Sequence, residues 1–238
     1  MKSEPILITG VGQRVGLHLA QNFLMRGIPV LGTYRTQRDS IKELGNNGAK
    51  LYNCDFHDEL ELQNCIRSIV QNYQGLRAII HNASEWMPDK QEDLTPAEIM
   101  HRMIQVHTSA PYQINLMLEN LLLQSAHKYT DIIHIGDYIS SRGSKKHIAY
   151  AASKAAQDNL TLSFAARLAP KVKVNSIAPA LVLFKQDDDD IYREKTLKKS
   201  LMQREAGLDE IQNSVDYLLQ SQYVTGRILP VDGGRHLK

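Results

Sequence analysis

Short, continuously apolar runs alternate with longer stretches of helical spacing from one end of the chain to the other. "PILITG" (5–10), "IPVLGTYR" (28–35), "KLYNCDF" (50–56), "LRAIIHNAS" (76–84), "DIIHIGD" (131–137), "VKVNSIAP" (172–179) and "ILPVDGG" (228–234) read as strands. Helical patterns fall between them, at 16–27, 37–47, 59–74 and in longer stretches before the fifth and sixth strands. A strand that is apolar at every position needs cover on both faces, and intervening helices supply it. The pattern therefore predicts an α/β fold: a doubly wound, Rossmann-type domain with a parallel sheet of about seven strands flanked by helices. With 238 residues and no Pro/Gly/Ser-rich linker, a single domain over 1–238 is expected. Such sheets bind ligands at the carboxyl ends of their strands, so the residues there carry the function.

"TGVGQRVG" (9–16) joins the first strand to the first helix. Gly10, Gly12 and Gly16 permit a tight turn and close helix contact, and the helix N-terminus suits a pyrophosphate. Arg14 lies inside this loop and reads as a contact to phosphate or to an anionic substrate, a solvated arginine being the plain alternative. At the end of the second strand an NAD site would place Asp or Glu, whereas NADP requires a cation. The chain has "TYRTQR" there, offering Tyr34, Arg35, Thr36 and Arg38 ahead of Asp39, so NADPH/NADP+ is the expected cofactor.

Tyr150 and Lys154 stand four apart in a helical run and share a face. An ammonium beside a phenol favours phenolate and is expected to lower the phenol's pKa, making Tyr150 a proton donor to a substrate being reduced. Asp137 closes the fifth strand thirteen residues upstream, either as a second acid group or as the head of an Asx turn.

These stretches, with "CDF", "HNAS", "YAASKAA", "VNSIAP" and "TGRILPVDGG", resemble the short-chain dehydrogenase/reductase family over nearly the whole chain. The resemblance implies that the first loop, with Gly10, Arg14 and Val15, holds the cofactor phosphates. It implies that Asp55 and Phe56 meet the adenine, that Asn82, Ala83 and Pro179 line the cofactor pocket, and that Lys154 holds the nicotinamide ribose beside the acid Tyr150. Two departures, Arg14 for a usual glycine and Asp137 for a usual serine, are similar to the pteridine reductase branch, where the arginine also reaches the pterin and the aspartate joins in proton delivery. Trp86 in "HNASEWMPD" falls where that branch stacks an aromatic on the pterin; a loop aromatic covering the core is its plain alternative. "HNASEWM", "DIIHIGDY", "KHIAYAASKAA" and "VDGGRHL" are similar to the bacterial dihydromonapterin reductases, which implies NADPH-dependent reduction of 7,8-dihydromonapterin with weaker reduction of dihydrofolate. The competing expectations are a carbonyl reductase of the same family, with Ser140 or Ser141 recruited for a small ketone, and a non-catalytic NADP-binding regulatory protein. His107 matches an asparagine that often supports the family's lysine through water, a buried structural histidine being its plain alternative, and His81 replaces another asparagine near the cofactor loop. The resemblance also implies a homotetramer and, at 183–206, a substrate-covering segment.

A net charge of +2 with scattered Lys and Arg gives no basic stripe, so no nucleic-acid partner is expected. No apolar run reaches the ~18 residues of a membrane span. The N-terminus shows no signal-peptide core, and Cys54 and Cys65 lack metal-type spacing, so a reduced, cytoplasmic protein without a metal is expected. The run Asp187 to Asp190 reads as a solvated face.

Overall fold

The computed structural model describes residues 4–238; Met1 to Ser3, part of the N-terminus read above as leaderless, lie outside the described residues. Strands β1 (Ile6–Ile8), β2 (Val30–Tyr34), β3 (Lys50–Asn53), β4 (Ala78–His81), β5 (Thr130–Ile135), β6 (Val172–Pro179) and β7 (Arg227–Val231) form one sheet. All pairings are parallel, in the order β3-β2-β1-β4-β5-β6-β7. The expected architecture is the observed one, with most strands trimmed at their ends where the chain already turns.

Successive strand residues alternate between two cores, as the pleat requires. Leu7, Leu31, Ile79, Ile132 and Val174 pack on one side with Leu62 and Ile66 of α3 (Glu59–Asn72), Leu118 of α5 (Ala110–Leu123) and Phe164 of α6 (Ile148–Leu168). Ile6, Ile8, Val30, Ile80 and Ile133 pack on the other with Phe23 of α1 (Arg14–Met25), Leu44 of α2 (Asp39–Asn46) and Val215 of α8 (Leu208–Gln220). None of the described helices is long and apolar enough to cross a membrane.

Three features of this frame place the site. The strand order reverses between β1 and β4, opening a crevice at their carboxyl ends. Helix α4 (Pro96–Ile104), started by a Thr95–Glu98 capping box, passes into α5 through one π-helical turn, Gln105–Ser109, whose His107 is fully buried. Helix α6 turns a buried stripe of Tyr150, Lys154, Gln157, Thr161, Phe164 and Leu168 toward the sheet, so the face that carries the polar pair is also the face that packs. Between β6 and α8 the chain forms α7 (Asp190–Leu197), where Asp189 caps the helix through the Tyr192 amide; in this aspartate run Asp189 is a capping residue as well as a solvated one.

Candidate active site

The Tyr150 hydroxyl donates to Asp137 Oδ2 at 2.8 Å, and Asp137 Oδ1 accepts the Ile139 amide at 2.9 Å. Asp137 is thus both the head of a turn and the partner of the tyrosine: the two readings left open by the sequence hold together. Burial pushes the Asp137 carboxyl above its ordinary value, although its hydrogen bonds and the charge of Lys154 pull the other way. Burial, and next the Asp137 charge, push the Tyr150 phenol well above its ordinary value. This corrects the expectation that Lys154 lowers it. The Lys154 ammonium turns instead to Ile135 O at 2.9 Å and Gln157 Oε1 at 3.2 Å, and lies 6.0 Å from the Tyr150 ring centroid. A carboxylate in contact outweighs an ammonium at that distance, so the phenol is held protonated, as a donor must be.

Ser140 and Ser141 do not take the place beside the phenol. The Ser140 hydroxyl donates to Asp158 Oδ2 at 2.5 Å and that of Ser141 to Tyr138 O at 3.1 Å. His107 bonds to two serines rather than to Lys154. Ser153 Oγ donates to Tyr150 O at 2.7 Å, so His107 Nδ1 at 2.8 Å is its donor. Nε2 then accepts from Ser84 Oγ at 2.8 Å and from the Glu85 amide at 3.3 Å, and burial keeps the ring neutral. His81 is buried against Asn115 (2.8 Å) and stacked on His134, with its pKa lowered by burial to about 4.

Burial lowers the Lys154 pKa to about 8, against the opposing pull of Asp137 and Asp158. The unfolded chain, with lysine near 10.4, binds more protons between about pH 8 and 10.4, so this group makes stability rise with pH across that window. The gain is about 3 kcal/mol. Chemical denaturation at pH 7.5 and pH 9.5 is expected to show the rise in the wild type and not in Lys154→Met; parallel curves for the two proteins would refute it.

The crevice between β1 and β4 fits a dinucleotide. Helix α1 begins with neither a side-chain cap nor an acidic residue in its first turn, leaving its N–H groups and dipole open to an anion. Gly10 is left-handed (φ 73°) and lies against Ala83, where a Cβ would come within 2.9 Å of the Ala83 Cα. Asn82 holds the turn: its Nδ2 donates to Thr9 O and Gly10 O, both at 3.0 Å, while Thr9 Oγ1 accepts the Asn82 and Ala83 amides. Val15 packs into the core behind the turn. Tyr34 ends β2 and Thr36 follows it, and Asp55 Oδ1 folds back onto the His57 amide at 3.0 Å, beside buried Phe56. Pro179 ends β6. Arg35 is not a free cation: it pairs with Glu85, which also meets Arg102 and His57, each at 3.2 Å. Arg38 lies over Gly12, where a Cβ would be 3.7 Å from the Arg38 Cδ.

Arg14 takes the left-handed region (φ 51°) that glycine would occupy without strain, and its guanidinium donates to Leu183 O at 2.8 Å, tying the glycine turn to the 183–206 segment. Trp86 is 58% exposed, with one ring neighbour in His147 at 4.2 Å and the Lys185 ammonium 5.7 Å from its centroid. Tyr150, Asp137, Lys154 and the glycine turn are therefore gathered at the carboxyl ends of neighbouring strands, with Trp86 and Arg14 both reaching the 183–206 segment. Sequence reasoning missed Glu85, Asp89, His147 and Ser153; only their nearness to the motifs could have marked them.

A dinucleotide crevice at the switch point, with a tyrosine and lysine on the helix after the fifth strand, defines a short-chain dehydrogenase/reductase, and the chain belongs to that family. The family model described as Enoyl-(Acyl carrier protein) reductase matches residues 10–236. Among curated proteins the chain is 50% identical to the dihydromonapterin reductase of Klebsiella pneumoniae subsp. pneumoniae over 235 residues, covering 99% of this chain and 98% of that one. It is also 50% identical to the dihydromonapterin reductase of Escherichia coli (strain K12) over 234 residues, covering 98% and 97%. Among solved structures it is similar to FolM Alternative dihydrofolate reductase 1 from Brucella canis complexed with NADP, with a TM-score of 0.86 at 25% identity, covering 100% of this chain and 95% of that one.

Proposed function

We propose that the protein is an NADPH-dependent dihydromonapterin reductase, converting 7,8-dihydromonapterin to 5,6,7,8-tetrahydromonapterin and, more weakly, dihydrofolate to tetrahydrofolate. The observation that carries this reading is the Tyr150–Asp137 hydrogen bond of 2.8 Å in a chain half identical to dihydromonapterin reductases along its length. An ordinary carbonyl reduction has no need of a carboxyl group against its tyrosine.

NADPH, when bound, supplies the hydride. In this reading Gly10, Val15 and the N-terminus of α1 hold the pyrophosphate, with Arg14 between phosphate and substrate. Arg35 and Arg38, with Tyr34 and Thr36, take the ribose phosphate. Asp55 and Phe56 take the adenine, Asn82 and Ala83 shape the floor with Pro179 opposite, and Lys154 with Tyr150 holds the nicotinamide ribose. Trp86 offers a flat face to the pterin, worth about 0.5–1.5 kcal/mol beyond area burial.

The chain's own chemistry is the proton that follows hydride onto the neighbouring ring nitrogen. Tyr150 gives its proton to that nitrogen and takes the proton of Asp137 in its place. Asp137 takes up a proton from solvent before the step, and afterwards the pair is again the phenol and carboxylate seen in the structure, so two anions never sit side by side. This requires a carboxyl that binds a proton more readily than an ordinary one, which is the direction in which burial moves Asp137. The same reading gives a cytoplasmic homotetramer, in keeping with two free, buried cysteines and with Tyr112, Met117 and Leu162 half-exposed on α5 and α6.

The test is the loss of NADPH absorbance with dihydromonapterin, dihydrofolate and a small ketone as separate substrates. Turnover is expected to be fastest with dihydromonapterin and slower with dihydrofolate. Turnover of the ketone alone would reassign the site to carbonyl reduction, and tight NADPH binding without any turnover would make the protein a sensor.

A further inference from the structure

The chain from Asn82 to Leu94, which carries Trp86, forms neither helix nor strand, yet it is fastened to the first turn of the helix that bears Tyr150. His147, the N-cap residue of α6, makes no side-chain cap bond. The first two N–H groups of the helix turn to Asp89 instead: Oδ2 accepts from Ile148 at 2.8 Å and Oδ1 from Ala149 at 3.1 Å. The Asp89 amide in turn donates to Lys146 O at 2.9 Å. His147 Nδ1 stands 3.0 Å from Met87 O, and because a carbonyl only accepts, that nitrogen carries the proton. The His147 ring stacks on Trp86, with centroids 4.2 Å apart and planes inclined by 34°. Met87 packs against the cluster formed by Ile99, Met103, Ala149 and Tyr150.

We propose that Asp89 is a positioning residue for the substrate: by capping α6 from a loop about sixty residues away in sequence, it sets the Trp86 ring, through Met87 and His147, relative to the Tyr150 phenol. The proposal rests on the reading that Trp86 stacks the pterin. A stacked ring is useful for proton and hydride delivery only if its plane is held to a fraction of an ångström. A loop without regular structure does not provide that alone; a doubly bonded carboxylate at the positive end of a 21-residue helix does.

Trp86 is the only tryptophan in the chain, so fluorescence excited at the long-wavelength edge of the indole band, where the tyrosines do not absorb, reports this ring alone. In Asp89→Ala the tryptophan anisotropy is expected to fall and acrylamide quenching to rise, with KM for the dihydropterin up about tenfold, kcat changed less and the NADPH Kd within about twofold. Asp89→Asn, which keeps an acceptor, is expected to lie between Asp89→Ala and the wild type. His147→Ala, which leaves the Asp89 cap in place, is expected to loosen Trp86 with little change in Tm, and it carries the test if Asp89→Ala folds poorly. Wild-type anisotropy and quenching in both alanine variants would overturn the proposal. So would equal losses of pterin and NADPH affinity with no recovery in Asp89→Asn, since that is the mark of a merely structural cap. In Trp86→Ala an unchanged KM would overturn the stacking reading itself, while the fluorescence comparison still decides whether Asp89 holds the ring.

Discussion

Tyr150→Phe is expected to lower dihydropterin turnover by about 10²–10⁴-fold while NADPH binding stays within about twofold. The substitution removes one oxygen from a helix whose packing does not depend on it: the hydroxyl donates to Asp137 Oδ2, while the ring rests on His107 at 5.4 Å and among Ile99, Met103 and Ala149. What is lost is the proton, which the Ile139 amide, the other donor bonded to the Asp137 carboxyl among the described residues, cannot supply. Asp137→Asn separates the pair from the other side. It leaves Tyr150 protonated but without a group to refill it, and it removes a charge that pushes the phenol upward, so the phenol pKa falls toward its ordinary value. The Lys154 pKa falls as well, because Asp137 is the larger of the two charges that raise it. Turnover is expected to drop about 10²-fold, and the decline of kcat/KM at high pH to begin at lower pH than in the wild type. Stopped-flow hydride transfer and a pH profile in both variants check this. Retained single-turnover rates in Tyr150→Phe would remove the tyrosine from the proton path, and an unmoved pH profile in Asp137→Asn would uncouple the two groups.

Gly16→Ala is expected to lower NADPH affinity by about 100-fold or more and to cost about 1–3 kcal/mol or more of stability. The added Cβ would stand 2.2 Å from Gly10 O and 2.4 Å from Asn82 Nδ2. Neither neighbour can give way cheaply. Gly10 is pinned by its own amide to Thr33 O at 2.9 Å, and Asn82 Nδ2 is spent on two backbone carbonyls. The helix must therefore back away, and the N-terminal N–H groups that would receive the pyrophosphate move with it. Fluorescence titration with NADPH and a thermal melt measure the two losses; affinity within a few-fold of wild type would show that the close approach of α1 to the turn is dispensable.

Much of the site was legible because it follows from local periodicity. The i, i+4 spacing of Tyr150 and Lys154 put them on one helix face, and that face is the buried stripe of α6. The strand read at 172–179 is β6 to the residue, because every one of its positions, polar Lys173, Asn175 and Ser176 included, is buried in the sheet and Pro179 closes it. At β1 the same reasoning overran by a residue before the strand and two after it, since Pro5 and Thr9–Gly10 share the apolar run's neighbourhood but belong to its turns.

The contacts that joined these pieces were not legible. Spacing identified Lys154 as a neighbour of Tyr150, but only the fold turned its ammonium to Ile135 O and Gln157 and left Asp137 to govern the phenol. Arg35 read as a free cation because Glu85, fifty residues on, has no mark in sequence as its partner. The bond from Asp89 to the head of α6 spans fifty-nine residues in the same way. Hydrophobic period and turn chemistry act over a few residues, and so the sequence by itself determined the seven-stranded frame, the glycine turn and the face carrying Tyr150 and Lys154. Which charge meets which depends on strand order and on how far each element is buried, and burial in turn sets whether a carboxyl or a lysine keeps its ordinary proton affinity. For that reason the polarity of the Tyr150–Asp137 pair, the engagement of Arg35 and the clamp on Trp86 were decided only by the tertiary structure.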